Sequence, residues 1–279
     1  MGATRADSGE QWEFAAPAER GPVREVAMIG FRHRSGAGLD VRVVGRPAVT
    51  LLIGFGSGDL VVDGDAGRQV VGGFVSGITN GAMRVRGDRA ECIEVRLSPL
   101  TAGALLGPVA TGLGVVGLEE IWGVRARRLR ERLAEAADWD ERFALTGAFL
   151  REGAEAGRAP RPEIVTGWRR IVATRGQVTV RELAQLCGWS RKRLWAGFES
   201  EIGLTPKRAA MLVRFRHAVD ALVAGGRAAA VAADCGYSDQ SHLGRDLAGF
   251  ADLTPGMLAG QPLAGFPEHR HRTWGTFVL

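Results

Sequence analysis

The sequence predicts an α+β chain in two parts, a β-sandwich or small barrel with following helices and then an all-α part. Three observations predict it. Residues Val23 to Leu97 fall into short apolar runs broken by Gly and Asp, helical periodicity takes over from Leu118, and a doubled helical pattern fills the last hundred or so residues. At 279 residues the chain is long enough for two domains.

Among the strands, Ala48 to Phe55 and Gln69 to Val75 are apolar runs. Cys92-Ile-Glu-Val-Arg-Leu97 alternates apolar and polar residues at period two, as a half-buried strand does. Gly58-Asp59, Asp63-Gly64 and Asn80-Gly81 supply turns between them. Gly54-Phe-Gly-Ser-Gly58 is too weak for a phosphate loop and reads as a turn or bulge. In the helical stretch, Ala126 to Ala137 sets Leu129 and Leu133 on one face among charged residues. Asp138, with Glu141 three residues on, forms a capping box ahead of Phe143, Leu145, Phe149 and Leu150. The stretch Gly153 to Pro162 breaks the pattern and is the linker; Val165, Trp168, Ile171 and Val172 then restart a helical stripe. The expected divisions are 1–152, a linker 153–162, a helical domain 163–260 and a tail 261–279.

Composition excludes several classes. No run of about 18 uncharged apolar residues is present, so a membrane span is not expected. Met1 to Arg20 lacks the charged-then-apolar order of a secretory signal. Cys92, Cys187 and Cys235 are odd in number and far apart, which argues against a disulfide framework or a zinc cluster and suits a reduced cytoplasm. From Ala159 onward 16 Lys and Arg face 10 Asp and Glu, a net +6. The preceding residues hold 20 and 21, a net −1, and the two parts make the chain's +5. A basic part beside a neutral one is the footprint of a nucleic-acid module joined to something else.

The repeat carries the argument. Leu183-Ala-Gln-Leu-Cys-Gly-Trp-Ser190 matches Val231-Ala-Ala-Asp-Cys-Gly-Tyr-Ser238 at an offset of 48. Past the turn the offset is 49: Leu194 with Leu243, Phe198 with Leu247, Leu204-Thr-Pro206 with Leu253-Thr-Pro255. In each copy a short helix buries Val180, Leu183, Ala184 and Cys187 or their counterparts, with small Ala184 and Ala232 admitting a second helix closely. Gly188 and Gly236 end that helix where a positive φ is needed. The following aromatic staples the turn, and Ser190 and Ser238 are suited to cap the next helix. Each copy is therefore a helix-turn-helix, whose second helix is the one that enters a major groove.

Ile164 to Ala259 resembles the AraC/XylS DNA-binding domain. Val180-Arg-Glu-Leu-Ala-Gln-Leu-Cys-Gly-Trp-Ser190, Leu194, Phe198 and Gly203 match its first unit; Leu204-Thr-Pro206, Arg214 and Ala218 match its connecting helix. Val231-Ala232, Cys235-Gly-Tyr237, Gln240-Ser-His-Leu243, Arg245, Phe250 and Thr254-Pro255 match its second, more diagnostic unit. The resemblance covers about a third of the chain. It implies a linker helix that holds two recognition helices about one DNA turn apart, and a cupin-like sensor or dimerisation domain in front. Its partners would be double-stranded promoter or operator DNA, a small-molecule effector, a second copy of the chain, and RNA polymerase. Helices around Leu129, Leu133, Phe149 and Leu150 fit a dimer interface in such a protein, and fit packing onto the strands equally well.

Candidate DNA contacts follow. In the first recognition helix they are Arg191, Lys192, Arg193, Trp195 and Ala196, with base reading implied by the resemblance at Lys192, Trp195 and Ala196. Ala196 departs from the family pattern, where many members carry Arg; alanine reaches at most a thymine methyl. In the second they are Gln240, Ser241, His242 and Arg245, since Gln pairs bidentately with adenine and Arg with guanine. A bridge from Arg245 to Asp246 or Asp239 is the competing role for that arginine. Arg214 and Arg216, with Arg191, are expected at phosphates.

The N-terminal half holds one histidine, His33, too few for a cupin metal site, and His269 and His271 read as part of a basic tail. No cofactor, metal site or catalytic constellation is expected, and the chain is not read as an enzyme. Two other readings remain open at this point: a cupin-type enzyme fused to a DNA-binding domain, and a non-specific architectural DNA binder.

Overall fold

A computed structural model describes residues 4–8, 12–17, 26–33, 39–43, 47–64, 67–78, 83–88, 90–107, 114–251 and 254. The Asn80-Gly81 turn, Leu253, Pro255, and the tail with His269 and His271 lie outside these residues. The architecture is α+β, as expected. The chain divides into two compact units: Met1–Arg42, Ala48–Gly77 and Met83–Ala159 form the first, and Pro160–Leu279 with Val43–Pro47 and Ile78–Ala82 the second.

The first unit carries β1 (Thr4–Ser8), β2 (Trp12–Ala16), β3 (Val26–His33), β4 (Leu39–Val43), β5 (Val49–Gly54), β6 (Leu60–Gly64), β7 (Gly67–Val71), β8 (Gly73–Ser76), β9 (Met83–Gly87) and β10 (Glu91–Leu97). After α1 (Pro99–Leu106) come β11 (Val115–Gly117), α2 (Leu118–Trp122), α3 (Val124–Glu135) and α4 (Trp139–Ala156). The strands form a seven-stranded sheet in the order β1-β2-β3-β10-β5-β8-β11 and a four-stranded sheet in the order β4-β9-β6-β7.

Two strand expectations are corrected. The run Gln69 to Val75 is not one strand: it breaks at Gly72 into β7 and β8, which belong to different sheets. The break is built from glycines. Gly54 N–H donates to the Gly72 carbonyl at 3.1 Å, and the Arg130 guanidinium occupies the space where a Gly72 Cβ would stand, 2.0 Å away. Arg130 Nε also donates to the Gly54 carbonyl at 2.7 Å and its Nη1 meets Glu119 Oε1 at 2.9 Å, so α3 is pinned to this corner. The second correction concerns β10, which is buried on both faces rather than one. It lies between β3 and β5, with Val95 paired to Met28 and Leu51. Its polar residues Glu94 and Arg96 tolerate burial by bonding to each other, Nε to Oε1 at 2.8 Å.

The helices that follow pack as their spacing requires. α3 buries Ala126, Leu129 and Leu133. Asp138 caps α4 by accepting from the Glu141 N–H, while the Glu141 carboxylate accepts from Ala137 N–H, one residue earlier than a standard capping box. Helix α4 continues through Gly153 to Ala156. Trp139 at its start lies flat over Gly30 and donates from Nε1 to Glu13 Oε1 at 2.8 Å, and Arg32 Nε holds the other oxygen of that buried carboxylate at 2.8 Å. A Cβ on Gly30 would sit 2.2 Å from the Trp139 ring. Gly30→Ala is therefore expected to cost about 2 kcal/mol by overpacking, read as a lowered urea midpoint; an unchanged midpoint would mean the ring shifts freely. His33, half-buried, meets the Trp12 ring edge-on at 4.5 Å.

The second unit is all helical: α5 (Pro162–Ala173), α6 (Val180–Leu186), α7 (Arg191–Ile202), α8 (Pro206–Val223), α9 (Ala228–Asp234) and α10 (Gln240–Ala251). In α5 the buried stripe is Ile164, Gly167, Trp168 and Ile171; Val172, expected on it, is exposed. Two helical pairs, α6–α7 and α9–α10, flank α8, with α5 packed on the first of them. Among the described residues no helix is long and apolar enough to cross a membrane.

Candidate nucleic-acid interface

Each pair is a short helix, a glycine turn and a longer helix. Thr179 opens α6 with a full capping box: it accepts from Glu182 N–H, and Glu182 Oε2 accepts from Thr179 N–H at 2.8 Å. Those same bonds hold the Glu182 carboxyl below its usual range, the backbone bond contributing most. Leu183 and Ala184 are buried, and Gly188 turns the chain at φ 63°. Trp189 then folds back into the core between two guanidinium groups, Arg193 at 4.4 Å and Arg161 at 5.2 Å from the ring centre. Ser190 accepts from Arg193 N–H at 3.2 Å and starts α7, whose Leu194 and Phe198 are fully buried. Arg161 also bonds Glu201 near the far end of α7, from both its main chain and its Nε, so α5 braces the helix at that end.

The second pair repeats this with one change. Gly236 turns at φ 72°, Tyr237 is buried like Trp189, and Leu243 and Leu247 take the places of Leu194 and Phe198. The cap, however, is Asp239 and not Ser238 as the offset of 48 suggested: its Oδ1 accepts from His242 N–H at 2.7 Å. Asp239 stands 49 residues after Ser190, so the residue inserted between the copies is Ser238 itself. That backbone bond is the chief reason the Asp239 carboxyl stays below its usual range.

The two longer helices each present an open face. On α7 the candidates Arg191, Lys192, Arg193, Trp195 and Ala196 are all exposed, Trp195 by 42% despite its size. On α10 Gln240, Ser241 and Arg245 are exposed, and a side chain at Gly244 would meet nothing within 4 Å. Arg245 makes no ion pair among the described residues. His242 is turned aside from this face. It is half-buried, edge-on to Tyr237 at 5.1 Å, with Nδ1 3.2 Å from Ser238 Oγ.

Arg214 and Arg216, expected at phosphates, are instead drawn inward from α8. Arg214 reaches Asp246 of α10 at 3.3 Å and lies over the Tyr237 ring at 4.4 Å. Arg216 is buried and bonds Asp220 at 2.6 Å. The reason is geometric: α8 is wrapped by both pairs and buries ten of its eighteen residues, which leaves little face for solvent. Asp239, Tyr237 and Asp246 are the functional supports that charge counting missed; the constant offset of 49 would have pointed to Asp239.

Both thiols at matching positions, Cys187 and Cys235, are pushed up by burial, as is the Tyr237 phenol. No group of three or more potential metal ligands occurs among the described residues.

A family of helix-turn-helix domains matches residues 183–260. A relative, the uncharacterized HTH-type transcriptional regulator YbfI of Bacillus subtilis (strain 168), is 36% identical over 66 residues, 24% of this chain. The chain spans about a quarter, 24%, of that relative's length. Among solved structures, ToxT from Vibrio cholerae O395 is 10% identical with a TM-score of 0.46, covering 86% of this chain and 100% of its own. The C-terminal domain of AraT, a response regulator from Geobacillus stearothermophilus, is 15% identical with a TM-score of 0.35, covering 41% of this chain and 100% of its own. Two helix-turn-helix pairs on one connecting helix, which the matched residues 183–260 cover from Leu183 onward, make the C-terminal part of this chain a helix-turn-helix domain.

Proposed function

We propose that the chain is a sequence-specific transcription regulator acting in the cytoplasm, with α7 and α10 entering successive major grooves of a promoter or operator. The observation that carries this reading is the pair of exposed helix faces held by one connecting helix. An eighteen-residue α8 spans about 27 Å at 1.5 Å per residue, the same order as the roughly 34 Å rise of one DNA turn. Arg191, Lys192, Trp195 and Ala196 face the first groove; Gln240, Ser241 and Arg245 face the second. Arg193 is divided between its stack on Trp189 and a phosphate. Residues 1–152 serve as the sensor or dimerisation domain, 153–162 as the connection and 163–260 as the reading head, with RNA polymerase the downstream partner.

The test is competition at physiological salt between a protected fragment, mapped upstream of the chain's own and neighbouring genes, and bulk DNA. The expected result is a specific fragment preferred at least about a thousandfold. Equal competition would identify an architectural binder instead. Residues 161–279 alone are expected to bind the same fragment, perforce more weakly if pairing lies in the first unit; complete loss by a folded fragment would misplace the reading head. Metal analysis of the full chain addresses the enzyme reading, which stoichiometric iron, zinc or manganese would revive.

A further inference from the structure

The two helix-turn-helix pairs are joined by more than their connecting helix. Between α5 and α6 the chain turns through Arg175 and Gly176 in left-handed conformations, φ 53° and 76°. Gly176 is pressed on α8 so closely that a Cβ would lie 2.1 Å from the Ala210 carbonyl oxygen and 2.7 Å from the Arg214 nitrogen. This contact aims the next residue, Gln177, across to the second pair. Its Nε2 donates to the Asp234 carbonyl at 3.3 Å, at the end of α9. Its side chain also covers Gly236, where a Cβ would stand 2.8 Å from Gln177 Oε1. Gly236 belongs to the turn that launches α10. Beside this bridge the pairs part around an open groove of about 460 Å³, lined by Val178, Val180, Lys207, Met211, Arg214 and His242.

We infer that Gln177 is a positioning residue for two-groove reading: it clasps the first helix-turn-helix pair to the turn before the second recognition helix, and so fixes the separation of the two half-sites. Each pair packs on α8, but α8 by itself does not hold one pair directly to the other. A direct contact between the pairs, off the axis of that helix, restricts their movement about it. The consequence is selective: the clasp touches neither recognition face, so it governs the spacing between half-sites and not the affinity for either. The inference rests on the reading of this chain as a DNA-binding regulator.

The experiment selects bound sequences from a random DNA pool with the full chain, as wild type, Gln177→Ala and Gln177→Glu. Gln177 is exposed, so neither change threatens folding. Wild type is expected to enrich two half-sites at one separation. In both variants the preference for that separation over separations one base pair shorter or longer falls about fivefold, the loss of one hydrogen bond, since a carboxylate cannot donate to a carbonyl. Affinity for a fragment with one half-site stays at the wild-type level. Variants that keep the wild-type spacing preference overturn the clasp, as does an equal loss on single half-sites. A wild-type pool without any two-part motif overturns the underlying reading as well, which separates the two failures.

Discussion

Replacing Arg245 by alanine is expected to lower affinity for the specific site about tenfold to a hundredfold while leaving affinity for bulk DNA within about twofold. The magnitude is that of one bidentate contact to a base edge, on the order of 1–3 kcal/mol. Its concentration on one residue follows from the shape of α10. The open face of that helix carries Gln240, Ser241, Gly244, Arg245 and Ala248, and Arg245 has the longest side chain and the one positive charge among them. Small neighbours let the helix backbone approach the groove floor, and Arg245 makes no ion pair among the described residues that DNA would have to break. Arg191→Ala supplies the contrast. At the first turn of α7 it is expected to meet the phosphate backbone, so its loss should weaken all sequences alike and reduce the salt slope of log K by about 0.9. Competition measurements over a salt series read both; equal losses on specific and bulk DNA for Arg245→Ala would place it at a phosphate and move base reading elsewhere.

The asymmetry between copies sharpens this expectation. At an offset of 49, Arg245 corresponds to Ala196 and Gly244 to Trp195. The first helix thus has a broad aromatic where the second has none, and no hydrogen-bonding group where the second has its arginine. The first face is suited to methyl contact and phosphate anchoring by Arg191 and Lys192, the second to donor-acceptor reading.

What the sequence made legible was the repeat, with its buried helix positions and its glycine turns. Leu194 and Phe198, Leu243 and Leu247, and the positive-φ turns at Gly188 and Gly236 stand where the repeat places them. What it hid depends on contacts between distant residues. Glu94 and Arg96 read as the wet face of a strand, but their mutual bond lets β10 run through the middle of a sheet. The Gln69 to Val75 run is continuous in polarity, and only Arg130, arriving from α3, explains why Gly72 ends one sheet and begins another. As charged residues Arg214 and Arg216 are expected at phosphate, yet their helix is enclosed on most sides. Charge in a sequence marks a wish for a partner; whether that partner is solvent, nucleic acid or another side chain is settled by packing.

Arg214 is where that distinction has the largest energetic consequence. Asp246→Ala is expected to destabilise the second unit by about 3 kcal/mol, because it strands a cation inside the fold. Asp246 is 7% exposed and is the ion-pair partner of Arg214, whose Nε is buried without a hydrogen-bond partner among the described residues. The Tyr237 ring face stabilises the guanidinium, but it cannot replace a full negative charge. The same pair ties α10 to α8, so DNA affinity should fall with stability even though Asp246 is buried and lies off the exposed face of α10. If the loss comes from the stranded charge, removing the cation too should restore most of it: Asp246→Leu combined with Arg214→Met is expected to lose far less than the two single changes added together. Urea unfolding of the full chain measures all three. Additive losses would show that Asp246 contributes by packing alone, and that α10 is held by Leu243, Leu247 and Phe250 without electrostatic help.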